Sequence, residues 1–119
     1  MHTSHFWRFH HKHEPNLVSI ALRAPEFYQG RTYPALAPRP DMLTMGEEEY
    51  TAEYQKILAS LDPRQVYDDL GTEAILLCWE QPGEFCHRRL VAAWLEENLG
   101  VSVPELPKNY DHRQHDLFG

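Results

Sequence analysis

The chain has 119 residues, which suits one compact domain with a single core and is too short for two ordinary domains. Hydrophobic residues make up 42% of it and charged residues 24%, a balance that argues against global disorder. The net charge of −7 argues against a broad electrostatic grip on a nucleic-acid backbone, because such binding depends on lysine and arginine. Any contact with nucleic acid is therefore expected to be local.

The positions of the histidines, cysteines and apolar residues indicate the cellular compartment in which the protein is expected. Five of the eight histidines lie within residues 1–13, which we interpret as a solvated segment rather than a metal site. No stretch reaches the roughly 20 apolar residues of a membrane span, and an apolar signal-peptide run is missing. We therefore expect a cytoplasmic protein with no membrane partner. Cys78 and Cys86 are too few for a secreted disulfide framework, so reduced thiols are favoured over a bond between them.

Two segments near the start predict strands. The sequence HTSHFWRF (2–9) mixes β-favouring aromatic residues with Thr3 and Ser4, and it predicts a short strand whose end exposes both hydroxyls. Residues 17–22 are apolar except for Ser19, as in a parallel strand that is covered on both faces.

A loop and two helices are predicted next. Residues 23–41 carry four prolines and predict a long loop, of a kind that is often functional. Residues 47–61 place their large apolar side chains on one helical face, which we interpret as core. The sequence DPRQ predicts a helix start with Asp62 as N-cap and Gln65 closing a capping box, and Gly71 ends that helix.

The second half predicts another strand and helix. Residues 74–79 are expected to form a second buried strand, and a helix should begin at Cys86 or His87 and end at Gly100. A further short strand is expected at 101–103. This order of elements is that of an α/β layer fold with parallel strands.

Reactive side chains crowd the junction between that strand and helix. Ligands in open α/β sheets bind beyond the carboxyl ends of the strands, where Cys78 and Glu80 should lie. A helix N-terminus lowers the pKa of a thiol, so Cys86 is expected to be a thiolate near neutral pH. His87 is a candidate acid or base, Glu80 a base or nucleophile, and Arg88 an anion contact.

Two alternatives remain for this junction. In the first, Cys78 is a small buried hydrophobe, Glu80 pairs with Arg88, and Cys86 packs under the helix. In the second, the two cysteines and His87 bind zinc and stabilise the domain, although their spacing matches no short-range zinc pattern. We assign no metal ligand and no cofactor from the sequence.

The segment LLCWEQPGEFCHRRLVAAWLE (76–96) resembles the signature of the domain of unknown function 488 family, in which a Leu-Leu-Cys-x-Glu strand precedes Cys-His-Arg. The segments TSHF, SIALRAPEFYQG and YPALAP resemble it more weakly, so that about the whole domain is covered. The resemblance implies a small three-layer α/β sandwich, with a mostly parallel sheet of three to four strands flanked by helices, and it assigns no reaction.

The family pattern also points to particular residues. Four of them are candidate catalytic residues: Cys78, Glu80, Cys86 and His87. Six are candidate ligand-binding residues: Thr3, Ser4, Ser19, Arg23, Tyr28 and Arg88. Arg23 is either a ligand anchor or a residue that pins the loop, and Tyr28 is either a ligand contact or part of the loop's own core.

We place the domain at residues 1–107 and a polar tail at 108–119. Within the tail, the sequence QHDLF resembles the peptide by which bacterial replication proteins dock onto the sliding clamp, with Gln114, Leu117 and Phe118 as its contacts. The alternative is that the two apolar residues fold back onto the domain.

The sequence favours a small enzyme that acts on a nucleotide, nucleic-acid or other anionic substrate, recruited to DNA by a sliding clamp. A non-catalytic DNA-replication or repair accessory module is one alternative, and a metal-stabilised domain is another.

Overall fold

Four short parallel strands form one sheet in this computed structural model, which describes residues 1–10 and 14–107. Their order is β1-β4-β2-β3, so β4 is hydrogen-bonded to both β1 and β2. The strands are β1 (His2–His5), β2 (Leu17–Ser19), β3 (Arg31–Thr32) and β4 (Ile75–Cys78). The predicted α/β class with a parallel sheet is confirmed.

The described residues also form helices, which lie between β1 and β2, between β3 and β4, and after β4. Three of them are α-helices: α1 (Glu47–Ala59), α2 (Pro63–Leu70) and α3 (His87–Leu99). Three 3-10 helices lie at Phe6–Phe9, Pro34–Leu36 and Pro40–Thr44. Within the described ranges, no helix has the length and apolar character needed to cross a bilayer.

The two faces of the sheet bury different cores because successive strand residues point to opposite sides. Val18 and Leu76 pack into a core that also holds the buried faces of all three α-helices. Ile75 and Leu77 point the other way, into a smaller core around Phe6. The layer on that side is formed by the Phe6–Phe9 helix, the loop that follows β2, and Leu106 from the segment after α3.

Helix α2 begins where the sequence predicts, but the details of its cap differ. The Oδ1 atom of Asp62 accepts a hydrogen bond from the backbone N–H of Arg64 at 3.0 Å, so the N-cap is confirmed. The side chain of Gln65 instead donates to Asp69 at 2.7 Å, so the predicted capping box is wrong. Gly71 ends the helix with a φ of +91°, which L side chains rarely adopt.

Several predicted strands are too long or missing. The first ends at His5, and Thr3 and Ser4 are buried within it rather than exposed at its end. The predicted strand 17–22 stops at Ser19, although burial continues through Ile20. The predicted strand 101–103 is not formed, and Glu105 instead makes an isolated bridge to Thr3.

Candidate functional site

A pocket of about 630 Å³ opens beyond the carboxyl ends of β2 and β4. Its walls come from five places: the residues after β2, the segment before α1, α1 itself through Tyr50, the end of β4 with the residues that follow it, and the start of α3. Most of the wall is apolar or aromatic, with large side chains from Leu43, Tyr50, Trp79 and Phe85. The volume is typical of small-molecule sites.

Half of the ten candidate residues line this pocket. They are Arg23, Cys78, Glu80, Cys86 and His87. The other five, which do not line it, are Thr3, Ser4, Ser19, Tyr28 and Arg88. Five of the candidates therefore share one concave surface, whereas the other five are buried or partly buried polar residues that contact the surrounding fold.

Arg23 is the exposed cation at the pocket wall. Its backbone carbonyl accepts a hydrogen bond from the indole N–H of Trp79 at 2.7 Å. This bond links the loop after β2 to the residues after β4, and so it fixes these two walls of the pocket relative to each other. The guanidinium of Arg23 is therefore carried on an anchored backbone.

Glu80 supplies the carboxylate of the pocket and is only partly buried. Burial, with a smaller contribution from the Glu80 charge, raises the pKa of the nearby Tyr50. The phenol of Tyr50 therefore stays protonated further into the alkaline range than an ordinary tyrosine does. Its ring meets that of Phe85 edge to face, with centroids 5.3 Å apart.

His87 is buried at the start of α3 and is neutral. Its Nε2 atom lies 2.7 Å from the carbonyl oxygen of Ile20 and must carry the hydrogen, because a carbonyl only accepts. The Nδ1 atom is then an unprotonated acceptor, 3.8 Å from the sulfur of Cys86. Burial lowers the pKa of His87 to about 4. A histidine held in this way is suited to positioning or to ligation rather than to carrying protons at neutral pH.

Cys78, the last residue of β4, is joined by a disulfide to Cys86, the N-cap residue of α3. The expectation of two reduced thiols, with Cys86 as a thiolate, is therefore wrong for this structure. The reason is that the strand end and the helix start meet at the same sheet edge although eight residues separate them. Their Cα atoms are 7.3 Å apart, beyond the usual 4.4–6.8 Å of disulfides.

Arg88 lies behind the pocket with a side chain that is 1% exposed. Its Nε and Nη2 atoms donate to the carboxylate of Glu105 at 3.1 and 2.9 Å. Its Nη1 atom donates to the sulfur of Cys78 and to the backbone oxygen of Glu80, both at 2.9 Å. The guanidinium is thus occupied by protein groups, and its ion-pair partner is Glu105 rather than Glu80.

The remaining candidates hold the fold together. The Thr3 hydroxyl donates to Glu105 and accepts from Arg89 at 2.8 Å. The Ser19 hydroxyl accepts from the backbone N–H of Ala21 at 3.4 Å, and Ser4 is buried in β1. Tyr28 donates to a backbone oxygen, and burial raises its pKa to about 12.

Sequence reasoning missed two features of the site. Tyr50 was assigned only to the core, yet one side of it lines the pocket beside Phe85. Glu105 had no local signal, because its role depends on a contact across 17 residues of chain. The candidate clamp contacts Gln114, Leu117 and Phe118 lie outside the described residues.

Comparisons with protein-family models, with curated proteins and with solved structures found no match. The resemblance to the domain of unknown function 488 family therefore stays a prediction from the sequence.

Proposed function

We propose that this protein is a small enzyme that acts on an anionic substrate with an aromatic portion, of the nucleotide class, in the pocket beyond β2 and β4. The observation that carries the proposal is that one largely apolar pocket of about 630 Å³ is lined by an exposed arginine, Arg23, and a partly buried glutamate, Glu80. A flat aromatic group fits walls made of Tyr50, Trp79 and Phe85, while an attached anion fits Arg23.

The charge of the chain favours a small substrate over a long nucleic acid. A net charge of −7 gives no broad attraction to a phosphate backbone. One guanidinium at a pocket wall instead suits a single phosphate or carboxylate. In this proposal Arg23 binds the anion and Glu80 is the general base that activates the attacking group.

Ligand binding tests the first half of the proposal. Calorimetric titration should show that the full chain binds nucleoside 5′-monophosphates more tightly than the parent nucleosides. Arg23→Met should weaken the binding of the phosphate-bearing ligands by roughly 10- to 100-fold, from the ~1.5–3 kcal/mol of a charged hydrogen bond. Arg64→Met, an exposed arginine on α2 that does not line the pocket, is the matched control.

Equal losses in the two arginine variants would contradict the assignment of Arg23, and so would the absence of nucleotide binding by the intact protein.

Turnover tests the second half of the proposal, that Glu80 is the general base. Products are followed by mass spectrometry, and Glu80→Gln should abolish turnover while nucleotide binding remains. Undiminished turnover in that variant would remove Glu80 from the chemistry.

Recruitment to DNA is a separate part of the proposal and is supported by the sequence QHDLF alone. A clamp-docking tail would give an acidic protein proximity to DNA that its own charge does not provide. Deleting residues 114–118 should abolish binding to an immobilised sliding clamp and leave nucleotide binding unchanged. If the full chain does not bind the clamp, recruitment is refuted and the enzyme proposal is unaffected.

A further inference from the structure

The floor of the pocket brings together two sulfurs and one imidazole nitrogen. The ligand atoms of Cys78, Cys86 and His87 all lie within 4.8 Å of one another, and all three residues are buried. Buried cysteine and histidine in this proportion form the donor set that zinc and other thiophilic divalent ions prefer.

From this cluster we propose that, when the Cys78–Cys86 bond is reduced, the two sulfurs and His87 Nδ1 bind one zinc-like divalent cation. A two-electron thiol reductant supplies two electrons and two protons to the S–S bond, which breaks to give two thiols, while the reductant becomes a disulfide. Binding of the cation then displaces the two thiol protons to solvent. The site is independent of the nucleotide proposal.

The backbone spacing of the cysteines supports a metal. Their Cα atoms are 7.3 Å apart, wider than in most disulfides. Two thiolates that each lie about 2.3 Å from one zinc ion are roughly 3.8 Å apart in tetrahedral geometry. The observed spacing therefore leaves room for a cation between two separated sulfurs without requiring β4 and α3 to move closer.

Hydrogen bonds from neighbouring groups already orient His87 and Cys78 as a metal site would require. His87 donates Nε2–H to the carbonyl of Ile20 at 2.7 Å, which fixes the ring and leaves the Nδ1 lone pair available. Metal-bound histidines commonly have such a backbone partner on the other nitrogen. Arg88 donates to the Cys78 sulfur at 2.9 Å, a contact that stabilises a thiolate.

The site is open rather than closed. Three protein ligands leave one tetrahedral position, and since all three line the pocket, that position is on the pocket side. This distinguishes it from a four-ligand structural zinc site, in which no position is free for water or substrate. Glu80 lines the same pocket and is available to a metal-bound water.

Cobalt(II) is the probe, because its visible absorption is intense in tetrahedral sites and weak in octahedral ones, and because thiolate ligands add a charge-transfer band that nitrogen and oxygen ligands do not give. The full chain is reduced with a phosphine, its free thiols are counted, and the metal is titrated in. We expect two thiols, one tightly bound cobalt per chain, and a thiolate-to-metal absorption band that zinc removes. Protein left in the disulfide form should give no band.

Variants assign the ligands. Cys86→Ser and His87→Gln should each weaken cobalt binding by at least tenfold, and circular dichroism checks that each is folded. Arg23→Met should keep full stoichiometry, so that failure of the nucleotide proposal and failure of the metal proposal give different results. Substitution of His10, in the histidine-rich segment, should also leave the band unchanged.

Three results would overturn the metal site. The first is a reduced, folded chain that binds no cobalt. The second is a band that survives both Cys86→Ser and His87→Gln, or one that is lost with His10 instead. The third is a disulfide that persists in excess phosphine, because the thiolates would then never be presented to a metal.

Discussion

Replacing Glu105 by glutamine should destabilise the domain far more than its position after the last helix suggests. Glu105 is the carboxylate partner of Arg88, whose side chain is 1% exposed, and it also accepts from the Thr3 hydroxyl. Removing one partner of a buried ion pair leaves an uncompensated buried charge, which costs ~3–5 kcal/mol. Because 25% of the Glu105 side chain is exposed, we expect the lower end, about 3 kcal/mol.

Urea unfolding followed by circular dichroism measures this loss, provided that the denaturant slope is unchanged. Asp41→Asn is the matched control: it removes a carboxylate from an exposed ion pair with Arg39 and should leave the unfolding curve unchanged. The double variant Arg88→Met with Glu105→Gln removes both charges and should recover much of the stability. A loss in Glu105→Gln below about 1 kcal/mol would refute the argument that Arg88 depends on this carboxylate.

Three further predictions concern backbone strain, a buried hydroxyl and alkaline pH. Gly71→Ala should lower the free energy of unfolding by about 1–3 kcal/mol because φ is +91° there, whereas Gly46→Ala, with an ordinary φ of −67° and open space around it, should lose only the smaller difference between glycine and alanine as an N-cap; equal losses would contradict this. Tyr54→Phe should lose about 1 kcal/mol, since the buried hydroxyl donates to Leu36 O at 2.6 Å, and an unchanged melting temperature would show that this bond contributes nothing. Burial raises the pKa of Tyr28 from 10.0 to about 12, so the unfolded chain loses this proton first and stability should fall as pH rises through that window. Tyr28→Phe should flatten the fall in a pH series of urea unfolding curves, and identical slopes would count against the shift.

The elements that the sequence predicts well are those with local signals. The N-cap at Asp62 and the start of α3 next to Cys86 both follow from short patterns of residues, and both are observed. The ends of strands are harder to predict, because an apolar run reports burial and burial continues past the last strand residue. Ile20 shows this: it is fully buried and its backbone N–H donates to the Leu77 carbonyl at 3.1 Å, but it lies just beyond the end of β2.

The candidate site was predictable in location and only partly in detail. Cys78 and Cys86 meet because a parallel sheet brings the end of one strand to the start of the next helix, which is a general rule. The partner of Arg88 was not predictable, because Glu105 reaches it through an irregular segment with no periodicity. The direction in which the Arg88 side chain points from the start of α3 therefore depends on a partner that is distant in sequence.

The strand order has a consequence for how the chain acquires its structure during synthesis. Within the sheet, β1 and β2 do not pair with each other, and each finds its partner in β4. A nascent chain that has emerged only as far as residue 70 therefore has no strand that joins β1 to the rest of the sheet. The start of helix α3, which lines the pocket, and Glu105, which pairs with Arg88, emerge later still. Contacts distant in sequence therefore dominate the sheet, which favours slow folding, and the pocket is complete only after α3 is available to pack against β4.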